Sequence, residues 1–417
     1  MKPISLFAKH LASPSPICEL MQDLADAHGS ANGQVLLGGG NPAHICQVER
    51  AIQDAVQGLA NDPVALARAI GDYDGPGGNQ EFIEVLCDYL VSRYKWPIGP
   101  QNIALTNGSQ NAFFALTNLF SGRMSDGSFK RILLPICPEY VGYADAAIDP
   151  QVFYGIPAKI ELIGDQQFKY HPDLDLLYAC PDIGAVCISR PSNPSGNLIS
   201  DQHLEYIWQF ACQAGVPLIL DCAYGQPFPG IVYAQANAFW RPNTILCLSL
   251  SKLGLPGLRT GIVIAEPQII RAITSINAAM GLAPGGLGPA IMTRLIRSGA
   301  IDGLCHDVIR PFYLRRIQMA VELITGLLAD LPVRFHRPEG AFFLWLWLQG
   351  LQIDNIQVYR RLKAEGVIVV PGSYFFFGLQ RPWQHADRCI RVSLTASDQA
   401  LIAGLRRLCA VIRALYQ

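Results

Sequence analysis

Residues 249–261, Ser-Leu-Ser-Lys-Leu-Gly-Leu-Pro-Gly-Leu-Arg-Thr-Gly, set one lysine in surroundings that favour chemistry. Lys252 is the only charged residue between Thr244 and Leu258, and it follows an apolar run with the character of a buried strand. Burying an ammonium is unfavourable, so such a lysine finds a partner or gives up its proton. A neutral lysine is a nucleophile that forms a Schiff base with a carbonyl. Ser249 and Ser251 before it and Arg259 after it are groups that suit a phosphate. An exposed turn lysine is the commoner case, but the chain has only eight lysines and no other is framed this way. The segment points to a phosphorylated aldehyde cofactor held at Lys252.

Four further clusters each follow an apolar run. Gly108-Ser109-Gln110 lies between a strand and a helix, where free N–H groups and the helix dipole favour phosphate, although Ser109 could be an ordinary N-cap. Tyr140, in Pro-Glu-Tyr-Val-Gly-Tyr, offers a face for a flat ring or belongs to the core. Asn193, in the Pro- and Asn-rich residues 190–197, makes a turn or holds a phenolic oxygen. Asp221 ends an apolar run with Tyr224 close behind; a carboxylate there caps a turn or holds a pyridinium proton.

The elements that must position these groups alternate. Strands are expected over 102–105, 131–134, 184–189, 217–221, 244–248 and 261–265, with helices over 110–120 and 201–214. This order predicts an α/β unit with a mostly parallel sheet, which binds ligands beyond the carboxyl ends of its strands. From residue 291 the pattern changes. A long helical stretch to about 331 precedes a strand at 342–348, a helix at 355–365, strands at 367–370 and 389–393, and a helix at 398–416. The division expected is an N-terminal arm, 1–45, packing with a small domain at 291–417, and a large domain at 46–290.

The 417 residues are half hydrophobic and carry a net charge of −1, without a basic run, so nucleic acid and anionic membranes are not expected partners. Residues 1–16 lack the apolar core of a signal peptide. Twelve cysteines form no C-x-x-C pair, which predicts no metal site, no disulfide and a cytoplasmic setting. Cys187, Cys212, Cys247 and Cys409 are expected as small core residues. Residues 75–80 miss the dinucleotide fingerprint, since Gln80 stands where a third glycine belongs.

In the order of these motifs the chain resembles the class I aminotransferases of the aspartate aminotransferase superfamily, pyridoxal 5′-phosphate enzymes of fold type I. The resemblance runs from Gly38-Gly39-Gly40-Asn41-Pro42 to Arg391. It implies a large domain whose mostly parallel mixed sheet is flanked by helices, and a smaller α+β domain. It implies that Lys252 holds the cofactor and moves a proton between Cα and C4′, and that Asp221 keeps the ring nitrogen protonated. Asn193 and Tyr224 would bond the phenolic oxygen, Tyr140 would stack on the ring, and Gly108, Ser109, Gln110, Ser249, Ser251 and Arg259 would hold the phosphate. Arg391 would pair bidentately with the substrate carboxylate, although by itself it reads as a strand arginine in a surface ion pair. Gly40, with Gly39 as the adjacent candidate, would let that carboxylate approach the backbone, and Asn193 would share in binding it. Tyr73 matches a tyrosine that reaches the neighbouring subunit's phosphate, which implies a homodimer.

A narrower likeness, in residues 37–43, 73–76, 101–110, 249–257 and 338–347, implies exchange between a small apolar L-amino acid, valine, and a 2-oxo acid, pyruvate, giving 2-oxoisovalerate and L-alanine. The apolar candidates Phe342, Tyr374 and Phe375 agree with a small side chain, but one methylene is discriminated by only about 1–3 kcal/mol. The Asn-Pro-Ser-Gly loop and the short Lys-x-x-x-Pro-Gly-Leu-Arg spacing depart from the commoner pattern. Ligand-sensing domains of transcriptional regulators share that spacing, yet no basic helix marks a DNA-binding module here. A β-lyase on the same fold, or an aminotransferase of other specificity, would use the same cofactor groups. His306, His336 and His385 are left as structural residues.

Overall fold

Unbroken apolar runs such as Thr-Ile-Leu-Cys-Leu-Ser suit strands covered on both faces. In the computed structural model, which describes residues 34–417 together with Ser5 and Leu11, these runs form an eight-stranded mixed sheet. Its order is Ile103–Thr106, Gly261–Ile264, Thr244–Ser249, Leu218–Asp221, Ile183–Ser189 and Phe129–Cys137, the last also pairing with Gly122–Arg123 and Phe153–Pro157. Gly261–Ile264 is antiparallel to both its neighbours, while the pairings from Thr244–Ser249 through Phe129–Cys137 are parallel. Most of the expected strands appear within a residue or two of their expected limits; Phe129–Cys137 runs longer, starting two residues earlier and ending three later. The core around this sheet takes in Phe82, Leu86, Phe113, Leu204 and Ile273 from the surrounding helices.

A second, six-stranded sheet runs Val370–Pro371, Cys389–Ser393, Phe343–Leu348, Val333–His336, Gln167–His171 and Lys159–Ile163. Two of its strands, Lys159–Ile163 and Gln167–His171, come from the middle of the chain, and no apolar run announces them. The outer one is largely solvent-facing, so its hydrophobic signal is weak. The expected strand at 367–370 divides. Val367–Ile368 pairs in parallel with Val35–Leu36, whereas Val370–Pro371 joins the six-stranded sheet. The helical stretch expected from 291 to 331 also divides, into Leu287–Arg297, Ala300–Gly303, a π-helical turn at Leu304–Ile309 and Arg310–Leu328. Gly299, at φ 72°, makes the first break.

Phe343–Leu348 lies between two cores. Phe343 and Trp345 face the core of the large sheet, while Leu344, Leu346 and Leu348 face a second core. That second core holds Val35, Leu37, Ile317, Ile390, Val392, Leu401, Leu405 and Leu408. Strand alternation therefore accounts for the unbroken apolar run at 341–348. Of the N-terminal arm, residues 34–45 are described, and the earlier part, with residues 1–16, lies outside the described residues apart from Ser5 and Leu11. Among the described residues, no helix is long and apolar enough to cross a membrane and no His, Cys, Asp and Glu cluster is arranged for a metal. The described cysteines are free thiols. Contrary to the core role expected for it, Cys212 is exposed, because it lies on the solvent-facing end of Asp201–Gln213.

Leu405 is fully buried in the second core. Leu405→Ala is expected to lower the unfolding free energy by about 2–5 kcal/mol, read as an earlier midpoint in denaturant.

Candidate active site

Strand register brings the polar residues together. Ser249 pairs with Gly261 and Gly261 with Thr106, while Asp221 pairs with Ser189 on one side and Cys247 on the other. The carboxyl ends of four strands thus line one edge of the sheet, and the clusters around Gly108, Asn193, Asp221 and Ser249 begin there; the Tyr140 cluster follows the end of Phe129–Cys137.

At one end of this edge lies the phosphate-like cup. Gly108, at φ 88°, is the N-cap of Ser109–Phe120, so Ser109 is the first helical residue and not the cap. The first-turn N–H groups of a helix have no partner one turn back and attract an anion. A Cβ at Gly108 would fall 2.3 Å from Arg259 Nη2, so a side chain there would push the guanidinium aside, and the φ of 88° itself favours glycine. Arg259 itself is left-handed, at φ 45°, and donates to Ser251 Oγ at 3.4 Å and to the Pro256 carbonyl at 3.2 Å. Ser249 Oγ accepts from Ser251 N at 3.2 Å. Gln110 is drawn aside, with Nε2 donating to the Gly142 carbonyl at 2.6 Å.

In the middle, Asp221 is buried. Tyr143 donates its hydroxyl to Oδ2 at 2.7 Å and Ala223 N donates to Oδ1 at 2.9 Å. Burial raises the Asp221 pKa, while the Tyr143 and Ala223 hydrogen bonds and the charge of Lys252 oppose the rise. Tyr140 stands edge-on to Tyr143 with ring centroids 5.3 Å apart. Its ring covers Gly142 so closely that a Cβ there would lie 2.4 Å from it. Burial pushes the Tyr140 hydroxyl up to about 12.

Glu139 and Tyr143 carry site functions that the sequence did not reveal. Glu139 is fully buried and accepts from Ser189 N at 2.9 Å, Ser189 Oγ at 2.5 Å and Tyr140 N at 3.3 Å. Burial lifts its pKa to about 8 against the pull of these hydrogen bonds, and the charge of Asp221 adds to the rise. Its partner Ser189 lies 50 residues away, so no local pattern marks it. Tyr143 had a weak signal, since its spacing of three from Tyr140 puts both rings on one side of a helical turn.

Lys252 Nζ donates to the Gly40 carbonyl at 2.7 Å and lies 5.5 Å from the centre of the Tyr224 ring. Its pKa is lowered to about 8, first by burial, then by the cations Arg391 and Arg259; Asp221 pulls the other way. Arg391 is buried and donates from Nη1 to Asn193 Oδ1 and from Nη2 to the Gly38 carbonyl, both at 2.7 Å. Its Nε is buried without a hydrogen-bond partner. Phe343 and Phe375 lie 4.3 and 5.2 Å from the guanidinium, and burial lowers its pKa to about 10. The ion pair suggested by the residues alone is absent from its described contacts. Tyr224 is buried edge-on to Phe342 and Phe343. Gly39 has open space around it, whereas the carbonyls of Gly38 and Gly40 face the two cations.

Tyr73 stands apart from this cluster, 83 % exposed beyond the end of Pro63–Gly71. His336 and His385 are buried among Phe168, Tyr170 and Trp347, while His306 is at the surface beside Asp307.

Comparison with known proteins agrees with this geometry. Residues 32–409 match the family model for aminotransferase class I and II. The chain is 46% identical over 405 residues to the valine–pyruvate aminotransferase of Escherichia coli K12, covering 96% of each. It superposes on the crystal structure of a valine–pyruvate aminotransferase from Salmonella typhimurium LT2 with a TM-score of 0.88 and 44% identity, over 96% of this chain and 99% of that one. An α-aminoadipate aminotransferase from Thermus thermophilus, solved with N-(5′-phosphopyridoxyl)-L-leucine, shares the fold at a TM-score of 0.80 and 21% identity, over 99% of this chain and 98% of that one.

The Glu139 carboxyl keeps its proton in the fold where an unfolded chain, near its ordinary value of 4.5, loses it. Its contribution to stability is therefore complete below pH 4.5 and lost as pH rises to about 8. Relative to Glu139→Gln, the wild-type protein is expected to be more stable at pH 5 than at pH 8.5, measured by paired denaturation midpoints; an identical difference at both pH values would refute this.

Proposed function

Because the chain belongs to the class I and II aminotransferases, whose cofactor is pyridoxal 5′-phosphate, we propose that it exchanges an amino group between L-valine and pyruvate. The observation that carries this reading is the convergence of Asp221, Arg391 and Arg259 on the buried Lys252, close enough to act on its charge, with an anion cup at Gly108 and Ser251 beside them. The donor set fits the cofactor. Gly108, at φ 88°, brings its backbone close beside Arg259, Ser249 and Ser251 supply hydroxyls, and Asp221 is a buried carboxylate braced by two donors.

Pyridoxal 5′-phosphate supplies an electron sink for the bond pair released at the substrate Cα. The protein supplies the rest. Lys252, with a pKa of about 8, is partly neutral near physiological pH and can take and return the proton at Cα. Asp221 holds a proton on the ring nitrogen, and Tyr143 keeps that carboxylate turned and charged. Asn193 and Tyr224 would serve the phenolic oxygen, Tyr140 would cover the ring, and Gly108, Ser109, Ser249, Ser251 and Arg259 would anchor the phosphate, with Gln110 contributing its backbone N–H because its side-chain amide is held by the Gly142 carbonyl. Arg391 and Asn193 take the substrate carboxylate, to which the unpartnered Nε of Arg391 adds a free donor, and Gly40 lines that end of the pocket. The aromatic wall of Phe342, Phe343, Phe375 and Tyr224 favours a small apolar side chain over a charged one.

A homodimer is part of the proposal, with Tyr73 completing the partner's phosphate site. Tyr73, Ile70 and Leu282 are 83, 67 and 63 % exposed and are apolar surface that a partner subunit would cover. Their segments are held together by Asn277 Nδ2, which donates to the Pro76 carbonyl at 2.9 Å.

A half-reaction panel tests the function. Valine and alanine are expected to convert bound pyridoxal 5′-phosphate to pyridoxamine 5′-phosphate, followed by absorbance, and aspartate is not. Release of ammonia and pyruvate from a cysteine-type substrate would favour a β-lyase instead. Lys252→Ala is expected to abolish transamination and leave no cofactor attached after borohydride reduction; full activity in this variant would sink the scheme.

A further inference from the structure

One ionic cluster lies outside the groups assigned so far. Lys169, on Gln167–His171, and Glu339 are 9 and 5 % exposed, and they pair directly. Glu339 Oε2 also accepts from Leu198 N at 3.0 Å, and Lys169 Nζ donates to Asn197 Oδ1 and the Leu198 carbonyl, both at 3.2 Å. Arg337 donates to the other Glu339 oxygen, Oε1, at 2.9 Å. One strand of the six-stranded sheet and the connection between Val333–His336 and Phe343–Leu348 thereby grip the far end of the loop that leaves Ile183–Ser189.

That loop carries Asn193. Its near end is fixed by Arg190 N, which donates to the Asp221 carbonyl at 2.7 Å. Between the two anchorages, Ser192 N donates to the Asn197 carbonyl and Gly196 N to the Ser192 carbonyl, both at 2.8 Å. A Cβ on Gly196 would lie 2.6 Å from the Gly340 carbonyl, and one on Gly340 would lie 2.6 Å from Pro191 Cβ. With backbone this close, a shift of the Glu339 segment passes to the loop. Asn193 Oδ1 in turn fixes Nη1 of Arg391.

We infer that Lys169 and Glu339 form a buried ionic clasp that positions Asn193, and through it Arg391, for the carboxylate of the substrate. This rests on the reading of Arg391 given above. Buried ion pairs add little net stability over apolar residues of the same size, so packing alone gives no reason for one here. What the pair adds is direction: the two paired charges make three hydrogen bonds to Asn197 and Leu198 that set the loop's end in place, and Arg337 holds Glu339 from the other side. Both residues are positioning residues.

The test uses the holoenzyme and three variants. Lys169→Met combined with Glu339→Leu removes the clasp while keeping its volume. It is expected to raise KM for the amino acid and the 2-oxo acid about tenfold or more, and the Kd of the unreactive carboxylate 3-methylbutanoate by calorimetry in step. The change in kcat, the melting temperature and cofactor retention should be small. Lys169→Arg keeps the charge pair and should restore KM and Kd. Glu339→Gln keeps an acceptor for Leu198 and serves if the double variant does not fold; it should raise both constants to a smaller degree. Unchanged KM and Kd in a folded variant, or a fall in kcat alone, overturns the clasp. Arg391→Ala is run alongside. If it binds 3-methylbutanoate as tightly as the wild type, the Arg391 assignment itself fails. If it loses binding while the clasp variants do not, only the clasp fails.

Discussion

Lys252 shares its pocket with two guanidinium groups and has one nearby carboxylate pulling the other way. This imbalance is the constraint around which the site is built. Two arginines are useful for anions, yet each makes an ammonium beside them less favourable, and burial adds to the effect. The lysine is therefore ready to work as an amine. Asp221 must stay anionic in the same buried region, where an isolated carboxylate would lose several kcal/mol of hydration. Tyr143 and Ala223 N restore part of that solvation. Glu139, close enough to feel Asp221, relieves the strain by keeping its proton, so the pocket holds one buried carboxylate charge instead of two.

The same economy governs the neighbouring sheet. In Cys389–Ser393, Ile390 and Val392 face the second core, while Cys389 and Arg391 face the other side. Arg391 pairs across to Trp345, and its guanidinium is enclosed by Phe343 and Phe375. A cation so enclosed keeps its charge through cation–π contact and through acceptors on Asn193 and Gly38. One strand thus brings a charged residue to the site without opening either core.

How much of this was legible in the sequence follows from the range of each signal. Buried parallel strands are short apolar runs, so the strand ends at Thr106, Ser189, Asp221 and Ser249 could be found, and with them most of the candidate residues. Arg391 could not be told from a surface ion-pair arginine by its own neighbours; only the resemblance to a family singled it out. Glu139 and the Lys169–Glu339 pair depend on partners 50 and 170 residues away, which no local window contains. The hairpin at 159–171 escaped because its outer strand is largely exposed and shows no hydrophobic face. Charged residues appear in it as ordinary surface polarity until the opposite segment is known.

That hairpin also bears on how the chain is made. Its partner strand, Val333–His336, lies about 160 residues further along, at a distance that a ribosome covers in roughly ten to thirty seconds. For that interval the edge of Gln167–His171 has no strand to pair with, and Lys169 has no Glu339. A nascent chain therefore carries an unmated sheet edge through a large part of its synthesis, which is the state in which strands pair wrongly or aggregate. The charged outer strand, Lys159–Ile163, covers the opposite edge during this time. Its polarity serves the chain before the protein is complete, because an outer edge bearing Lys159 and Glu161 is a poor template for another strand.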